Sequence, residues 1–141
     1  MVAARRNHLV ETVWPALDRG DWVICDRFAD STLAYQGYGR GLPREALASL
    51  HSLIAGNFKP DLTFILDLSV DIGLSRAGKR ADNATRFEQM GRDFHDRLRR
   101  GFQEIARAEP QRCVLIDATA EVAAVQQAIR DAIRARLGVA I

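Results

Sequence analysis

Three short apolar runs constrain the fold of this chain more than any other feature. They cover residues 22–25, 62–66 and 113–116, are rich in β-branched residues, and are apolar at nearly every position rather than at alternate ones. Continuous apolar character is typical of strands covered on both faces, as in a parallel sheet with helical crossovers. An aspartate follows each run directly, namely Asp26, Asp67 and Asp117.

The segments between these runs carry the spacing of amphipathic helices. Apolar residues three and four apart recur in each segment, and their alternation with the strands predicts an α/β protein. The last helix is expected to have Thr119 as its N-cap. The predicted helices are 3–19 with Pro15 as a kink, 43–54 with Gly56 as its end, 86–108 and about 122–137, and the predicted loops are 37–42 and 77–85.

Length and composition set further limits. With 141 residues, 48% of them hydrophobic, the chain is predicted to form one domain over residues 1–141 with a substantial core. A formal net charge of +2 is too small to indicate a nucleic-acid partner. No secretory signal and no apolar run of about 20 residues is found, so we expect a cytoplasmic location and no membrane partner. Cys25 and Cys113, each inside an apolar run, are expected to be reduced and buried.

Chemistry is expected where the first strand ends, because ligands of parallel α/β sheets bind outside the carboxyl ends of strands. Asp26 can orient a hydrated Mg²⁺, and Arg27 beside it can bind a phosphate through two hydrogen bonds. The alternative is a structural ion pair at a strand end. Residues 30–41 favour a binding role, because they concentrate hydroxyl, amide, tyrosine and glycine groups that suit a small polar ligand.

A second cluster is cationic and lies between two predicted helices. Residues 76–80 hold Arg76, Lys79 and Arg80 on a glycine-containing segment, an arrangement typical of a cover over a phosphoryl group. The alternative is a solvated helix end, where cations are favoured by the helix dipole. Thr85 and Glu88 have the spacing of a capping box, which competes with a ligand role for Glu88.

Other ionisable side chains offer weaker candidates. The three histidines fall on separate predicted helices and are expected at the surface, and none gives a serine or cysteine a partner for nucleophilic catalysis. Arg97, Arg99 and Arg100 lie on a predicted helix that also carries Asp93, Asp96 and Glu104. That pattern favours a solvated face of mixed charge over a nucleic-acid surface.

Residues 26–37, with the sequence D-R-F-A-D-S-T-L-A-Y-Q-G, resemble bacterial thymidylate kinases. The likeness extends over essentially the whole chain, because several further blocks occur in the same order. These blocks are residues 3–6, 20–27, 59–63, 66–67, 86–88 and 116–119.

The resemblance implies a doubly wound parallel sheet with helices on both faces, and phosphoryl transfer from ATP to dTMP that yields dTDP. It also implies Mg²⁺ as cofactor and a homodimer formed through helices near the amino end. Asp26 would order the Mg²⁺ and Arg27 would bind the acceptor phosphate. The other implied site residues are Arg6 at the thymine edge, Ser31 and Thr32 near the base, Tyr35 against the deoxyribose with Gln36 beside it, and Arg76, Arg80 and Phe87 in a lid over about 76–88.

Two departures from the family pattern affect what this chain is expected to do. Val2 stands where the family has an aromatic residue that stacks on thymine, and no G-x-x-x-x-G-K-[ST] phosphate loop occurs in the sequence. We therefore expect a carboxyl-terminal part of such an enzyme without its first strands, with impaired catalysis and exposed apolar surface. The alternative is a non-catalytic module that binds a pyrimidine deoxynucleotide, or an inactive kinase remnant.

Overall fold

The structure is a computed structural model that describes residues 2–78 and 90–140. Its sheet consists of two parallel strands, β1 (Thr63–Asp67) and β2 (Cys113–Asp117), which pair in register from Thr63 with Cys113 to Asp67 with Asp117. Both strands follow the predicted runs closely. The predicted α/β class with a parallel sheet is confirmed.

Six helices surround these strands in the described residues. None of them is both long enough and apolar enough to span a bilayer. Two of them pack against the strands: α5, Arg92–Ala108, contacts both strands, and α6, Val122–Leu137, contacts β2. Their bounds are α1, formed by Val2–His8, a π-helical turn Leu9–Val13 and Trp14–Asp18; α2, formed by Ala29–Thr32 and a π-helical part Leu33–Gly39; α3, Arg44–Ala55; α4, Val70–Gly78; α5, Arg92–Ala108; and α6, Val122–Leu137.

The prediction of a strand at residues 22–25 is wrong. Residues 21–25 take no regular structure, and Trp22 and Ile24 are 67% and 98% exposed. An apolar segment forms a strand only when a neighbour accepts its backbone hydrogen bonds, and within the described residues only β1 and β2 pair. Cys25 is exposed for the same reason, which corrects the prediction of a buried thiol, whereas Cys113 on β2 is buried as predicted.

Several predicted boundaries also change. α6 begins at Val122 with Glu121 as its N-cap, because the Thr119 hydroxyl donates to the Asp117 carboxylate instead of capping the helix. α5 begins at Arg92, since Gly91 is extended with a ψ of 159°, and residues 86–89 of the predicted helix lie outside the described residues. The predicted loop 37–42 starts within α2, whose π-helical part continues to Gly39. Two predicted helix ends agree with the structure to within a residue. α1 ends at Asp18 where residue 19 is predicted, and Gly56, with its φ of +59°, follows the end of α3 at Ala55 as expected.

The larger core cluster forms where α5 packs against α2 and the sheet. Its buried members are Ala34, Ile65, Phe94, Leu98, Ile105 and Cys113.

Two glycines allow this close packing. A Cβ on Gly39 would lie 2.6 Å from the Phe94 ring, and one on Gly101 would lie 2.6 Å from Tyr38. The two helices can approach this closely because neither glycine carries a side chain at the contact.

The histidines divide between surface and interior. His8 is exposed as expected, but His51 and His95 are half-buried. His51 lies edge-on to Phe28, and His95 lies edge-on to Phe94. Both helices turn their histidine toward an aromatic neighbour, which corrects the prediction of surface positions.

Candidate functional site

A cavity of about 350 Å³ opens at the carboxyl end of β1. It is bounded by the residues that follow the strand, by α4 and α5, and by Tyr35 of α2. Parallel α/β sheets bind their ligands at this edge. We call it the carboxyl-end cavity.

Tyr35 lines this cavity, and Arg27 lies against the Tyr35 ring. The Arg27 guanidinium lies over the Tyr35 ring, 4.4 Å from its centroid, and the ring meets Phe94 and Phe102 edge-on. Arg27 has a φ of +67°, and such left-handed backbone at a non-glycine residue costs about 1–3 kcal/mol. Strain of this kind persists only where the surroundings hold it, and here it accompanies the contact of the Arg27 guanidinium with the Tyr35 ring.

Asp67, the last residue of β1, also lines the carboxyl-end cavity. Its carboxylate accepts two hydrogen bonds from Arg99, at 2.8 and 2.9 Å, and one from Gln103 at 3.1 Å. The hydrogen bond from Arg99 holds the pKa of Asp67 below its ordinary value of 3.8. Asp67 therefore stays ionised and fixes α5 against the strand end.

The depressed pKa of Asp67 predicts how the free energy of unfolding depends on pH. Because this carboxyl titrates lower in the folded chain, its contribution is complete above pH 3.8 and is lost as the pH falls through the folded pKa. We expect Asp67→Asn to lower the free energy of unfolding at pH 7, and the difference from wild type to shrink toward about pH 2. Urea unfolding at both pH values measures it, with the exposed Asp71→Asn as control. A difference that is equal at both pH values would contradict this assignment.

Other predicted residues lie apart from the carboxyl-end cavity. Arg6 donates to the Ile54 carbonyl at 2.9 Å and stacks on Trp14, so its guanidinium is engaged between α1 and α3. Thr32 accepts a hydrogen bond from Arg5 and lines a second cavity. The structure thus does not bring Arg6 and Thr32 together with Arg27 and Tyr35.

The remaining predicted residues are placed as follows. Ser31 and Gln36 are half-buried on α2, and Asp26 is exposed ahead of it. Arg76, near the end of α4, donates to the Ala118 carbonyl after β2 at 2.9 Å, which brings the start of the predicted lid beside the end of the second strand. Lys79, Arg80, Thr85, Phe87 and Glu88 lie outside the described residues.

Sequence reasoning missed the partners of Asp67. The charge pattern predicts a solvated face for Arg99, yet this side chain is half-buried and bound to Asp67, and Arg97 donates to the Gly39 carbonyl. His95 lines the same cavity, and its Nε2 is buried with no partner among the described residues. The aspartate at a strand end was the signal available, but periodicity on α5 does not show which of its arginines turns inward.

The described residues offer few protein ligands for a divalent metal ion. Across residues 2–78 and 90–140, no group of three or more His, Cys, Asp or Glu side chains could hold a metal ion. Magnesium usually keeps several waters and binds through one or two carboxylates together with substrate phosphates. The exposed Asp26 carboxylate fits that limited role.

Comparison with known proteins gives a consistent result. The sequence model of the family described as thymidylate kinase matches residues 1–129. The chain is 53% identical to the thymidylate kinase of Caulobacter vibrioides over 138 residues, covering 98% of this chain and 66% of that protein. It is 48% identical to the thymidylate kinase of Desulfovibrio desulfuricans, covering 96% of this chain and 65% of that protein.

A solved structure shows the same similarity in three dimensions. The crystal structure of thymidylate kinase from Ehrlichia chaffeensis matches with a TM-score of 0.67 and 34% identity, over 92% of this chain and 59% of that one. The chain therefore spans about two thirds or less of the length of these relatives.

Proposed function

This chain belongs to the thymidylate kinase family, and from that premise we propose that it provides the acceptor site for phosphoryl transfer from ATP to dTMP, giving dTDP. The observation that carries the proposal is the stack of Arg27 on Tyr35, the aromatic ring that lines the carboxyl-end cavity. A cation on an aromatic ring that lines a cavity suits a ligand that joins a phosphate to a sugar and a flat base.

In the proposed complex, Arg27 binds the dTMP phosphate through two hydrogen bonds, and Tyr35 packs against the deoxyribose. Gln36 and Ser31 lie on the same helix and would contact the nucleoside. Arg6 now donates to the Ile54 carbonyl, and Thr32 accepts a hydrogen bond from Arg5. Each would have to exchange this hydrogen bond for one to dTMP in order to bind it. A bulky ring at Tyr35 disfavours a 2′-hydroxyl, which favours a deoxynucleotide.

The transfer itself develops negative charge on the migrating phosphoryl group. Arg76, Arg80 and the aromatic Phe87 are proposed as the lid residues that approach this group, with the arginines stabilising its charge. Magnesium, held by Asp26 when bound, would neutralise the donor phosphates. Arg27 meanwhile keeps the acceptor oxygen in position for attack.

Calorimetric titration of the 141-residue chain with dTMP tests the acceptor site. We expect saturable binding that Arg27→Gln weakens about tenfold or more, because hydrogen bonds to a charged group contribute about 1.5–3 kcal/mol each. Arg130→Gln on the exposed part of α6 is the matched control and is expected to bind as wild type does. Equal affinity in wild type and Arg27→Gln, or no binding by folded wild-type chain, would refute the proposal.

A second candidate function is a deoxynucleotide-binding module without catalysis. It is favoured by one observation, the absence of any G-x-x-x-x-G-K-[ST] sequence from these 141 residues. Such a loop supplies the backbone amides and the lysine that bind donor phosphates. We expect turnover of ATP and dTMP by this polypeptide well below the range of about 1–100 s⁻¹ typical of kinases. Turnover within that range would show that catalysis does not need the loop.

We also propose a homodimer and a cytoplasmic location. Val10 and Leu17 of α1 are apolar and are 45% and 38% exposed. Exposed apolar side chains of this kind suit a symmetric helix–helix contact. Sedimentation of the purified chain measures the oligomeric state.

A further inference from the structure

One face of α5 lines the carboxyl-end cavity. Its residues His95, Leu98, Arg99 and Phe102 are three or four positions apart, and this spacing places their side chains on the same side of a helix. The rest of the lining comes from β1, the residues that follow it, α4 and Tyr35 of α2. Helix periodicity therefore brings a histidine into the same cavity as the proposed sugar-binding tyrosine.

Other polar side chains of this lining have hydrogen-bond partners within the chain. The Asp67 carboxylate accepts from Arg99 and Gln103. The Ser69 hydroxyl oxygen accepts from the backbone N–H of Ile72 at 3.4 Å. A ligand that bound to any of these groups would compete with a bond that the chain already makes.

His95 differs from these groups. Its Nε2 is buried and has no hydrogen-bond partner among residues 2–78 and 90–140. The ring is held edge-on against Phe94, with the two centroids 5.5 Å apart. Buried polar atoms in folded proteins nearly always have a partner. An unpaired ring nitrogen on a residue that lines a cavity therefore favours a ligand group at this position.

A hydroxyl is the group that suits this nitrogen best. In a neutral imidazole, Nε2 donates in one tautomer and accepts in the other, and a hydroxyl can pair with either because it both donates and accepts. A carbonyl oxygen can pair with only one of the two tautomers. Apart from its phosphate, dTMP carries one hydroxyl, at the 3′ carbon of the deoxyribose.

The aromatic rings around Tyr35 place His95 near the sugar. Phe94 contacts both rings edge-on, with its centroid 6.2 Å from that of Tyr35 and 5.5 Å from that of His95. We propose that Nε2 of His95 binds the 3′-hydroxyl of the deoxynucleotide, which makes His95 a residue that determines specificity for the 3′ position. This inference rests on the proposed function, in which the deoxyribose packs against Tyr35.

Calorimetric titration with two nucleotides measures the contribution of the 3′-hydroxyl. The nucleotide 2′,3′-dideoxythymidine monophosphate (ddTMP) differs from dTMP only in lacking this group. We expect the wild-type chain to bind dTMP about threefold to tenfold more tightly than ddTMP, because the hydroxyl adds one hydrogen bond between neutral groups. Equal affinity for the two nucleotides would overturn the inference and leave the acceptor site standing.

Substitution of His95 tests whether this residue causes the preference. His95→Phe keeps a ring against Phe94 without a hydrogen-bonding atom, so dTMP affinity should fall to that of ddTMP while ddTMP affinity stays unchanged. His95→Gln keeps an amide group and should retain part of the preference. The matched control is His8→Phe at an exposed position of α1, which should retain all of it. An unchanged preference in His95→Phe, or an equal loss of affinity for both nucleotides, would overturn the inference.

Nitrogen-15 NMR gives a second measurement that does not depend on affinity. The chain has three histidines, and the ring resonances that disappear in His95→Gln are those of His95. We expect saturating dTMP to shift the Nε2 resonance of His95, and saturating ddTMP to shift it much less. Shifts of equal size would overturn the inference.

Failure of this inference can be told apart from failure of the acceptor site. No binding of dTMP by the folded wild-type chain would refute both together. Binding of dTMP that Arg27→Gln weakens, with a preference over ddTMP that His95→Phe leaves unchanged, would refute the role of His95 alone. Circular dichroism shows that each variant is folded.

Discussion

Gly101→Ala is expected to lower the free energy of unfolding by at least about 2 kcal/mol, although alanine is the better helix former. Gly101 lies inside α5, where a Cβ would stand 2.6 Å from both Cβ and Cγ of Tyr38. These atoms lie next to the Tyr38 backbone, so a rotamer change cannot clear them. Relief requires α2 and α5 to separate, which opens the main core cluster.

The control for this substitution is Gly73→Ala in the interior of α4. Its new Cβ would meet only Leu68 Cδ1 at 3.9 Å, an ordinary contact. There the helix propensity of alanine is expected to raise the free energy of unfolding by about 0.5–1 kcal/mol. Urea denaturation of both variants gives the two changes. The packing argument fails if both substitutions shift stability in the same direction.

Arg112→Met is expected to cost about 3–5 kcal/mol, because it leaves the Asp30 carboxylate inside the protein without its counter-charge. The side chains of this pair are only 11% and 16% exposed. Arg112 also binds Glu109 and Thr63, so one substitution removes the contact between α2 and the amino ends of both strands. Restoring charge balance with Asp30→Asn in the same chain should recover part of the loss.

Arg92→Met provides the matched exposed pair. Arg92 also meets an aspartate, Asp71, through two hydrogen bonds, but these side chains are 60% and 66% exposed. Exposed ion pairs contribute about 0–1 kcal/mol, so we expect little change. Urea unfolding of the two methionine variants compares them. Losses of similar size would show that burial does not determine the strength of these pairs.

Local patterns were sufficient for the parts of the fold that depend on near neighbours. The apolar runs at β1 and β2 and the periodicity of α1, α3, α5 and α6 follow from the sequence alone. Residues 22–25 have the same apolar character and still form no strand. Strand formation depends on a pairing partner, and no property of the run itself reports whether one is present.

Contacts in the candidate site could be predicted from the sequence only where the residues are close together in the chain. Arg27 and Tyr35 are eight residues apart on one motif, and their side chains are in contact. Arg5 and Arg6 are adjacent, and only packing decides that Arg5 faces a cavity while Arg6 turns toward Ile54. The Asp67–Arg99 pair joins residues 32 apart, which periodicity cannot connect.

The register of the sheet has a kinetic consequence. Every paired position, from Thr63 with Cys113 to Asp67 with Asp117, joins residues 50 apart in the chain (113 − 63 = 117 − 67 = 50). The sheet therefore cannot begin to form until a long loop closes, and loop closure is an entropic cost that precedes any gain from pairing. Helices α1 and α3 can form early from local contacts, whereas β1 cannot pair until β2 comes into contact with it. During that interval the apolar strand TFILD has unpaired edges, so refolding at low protein concentration should favour the native pairing over contact between chains.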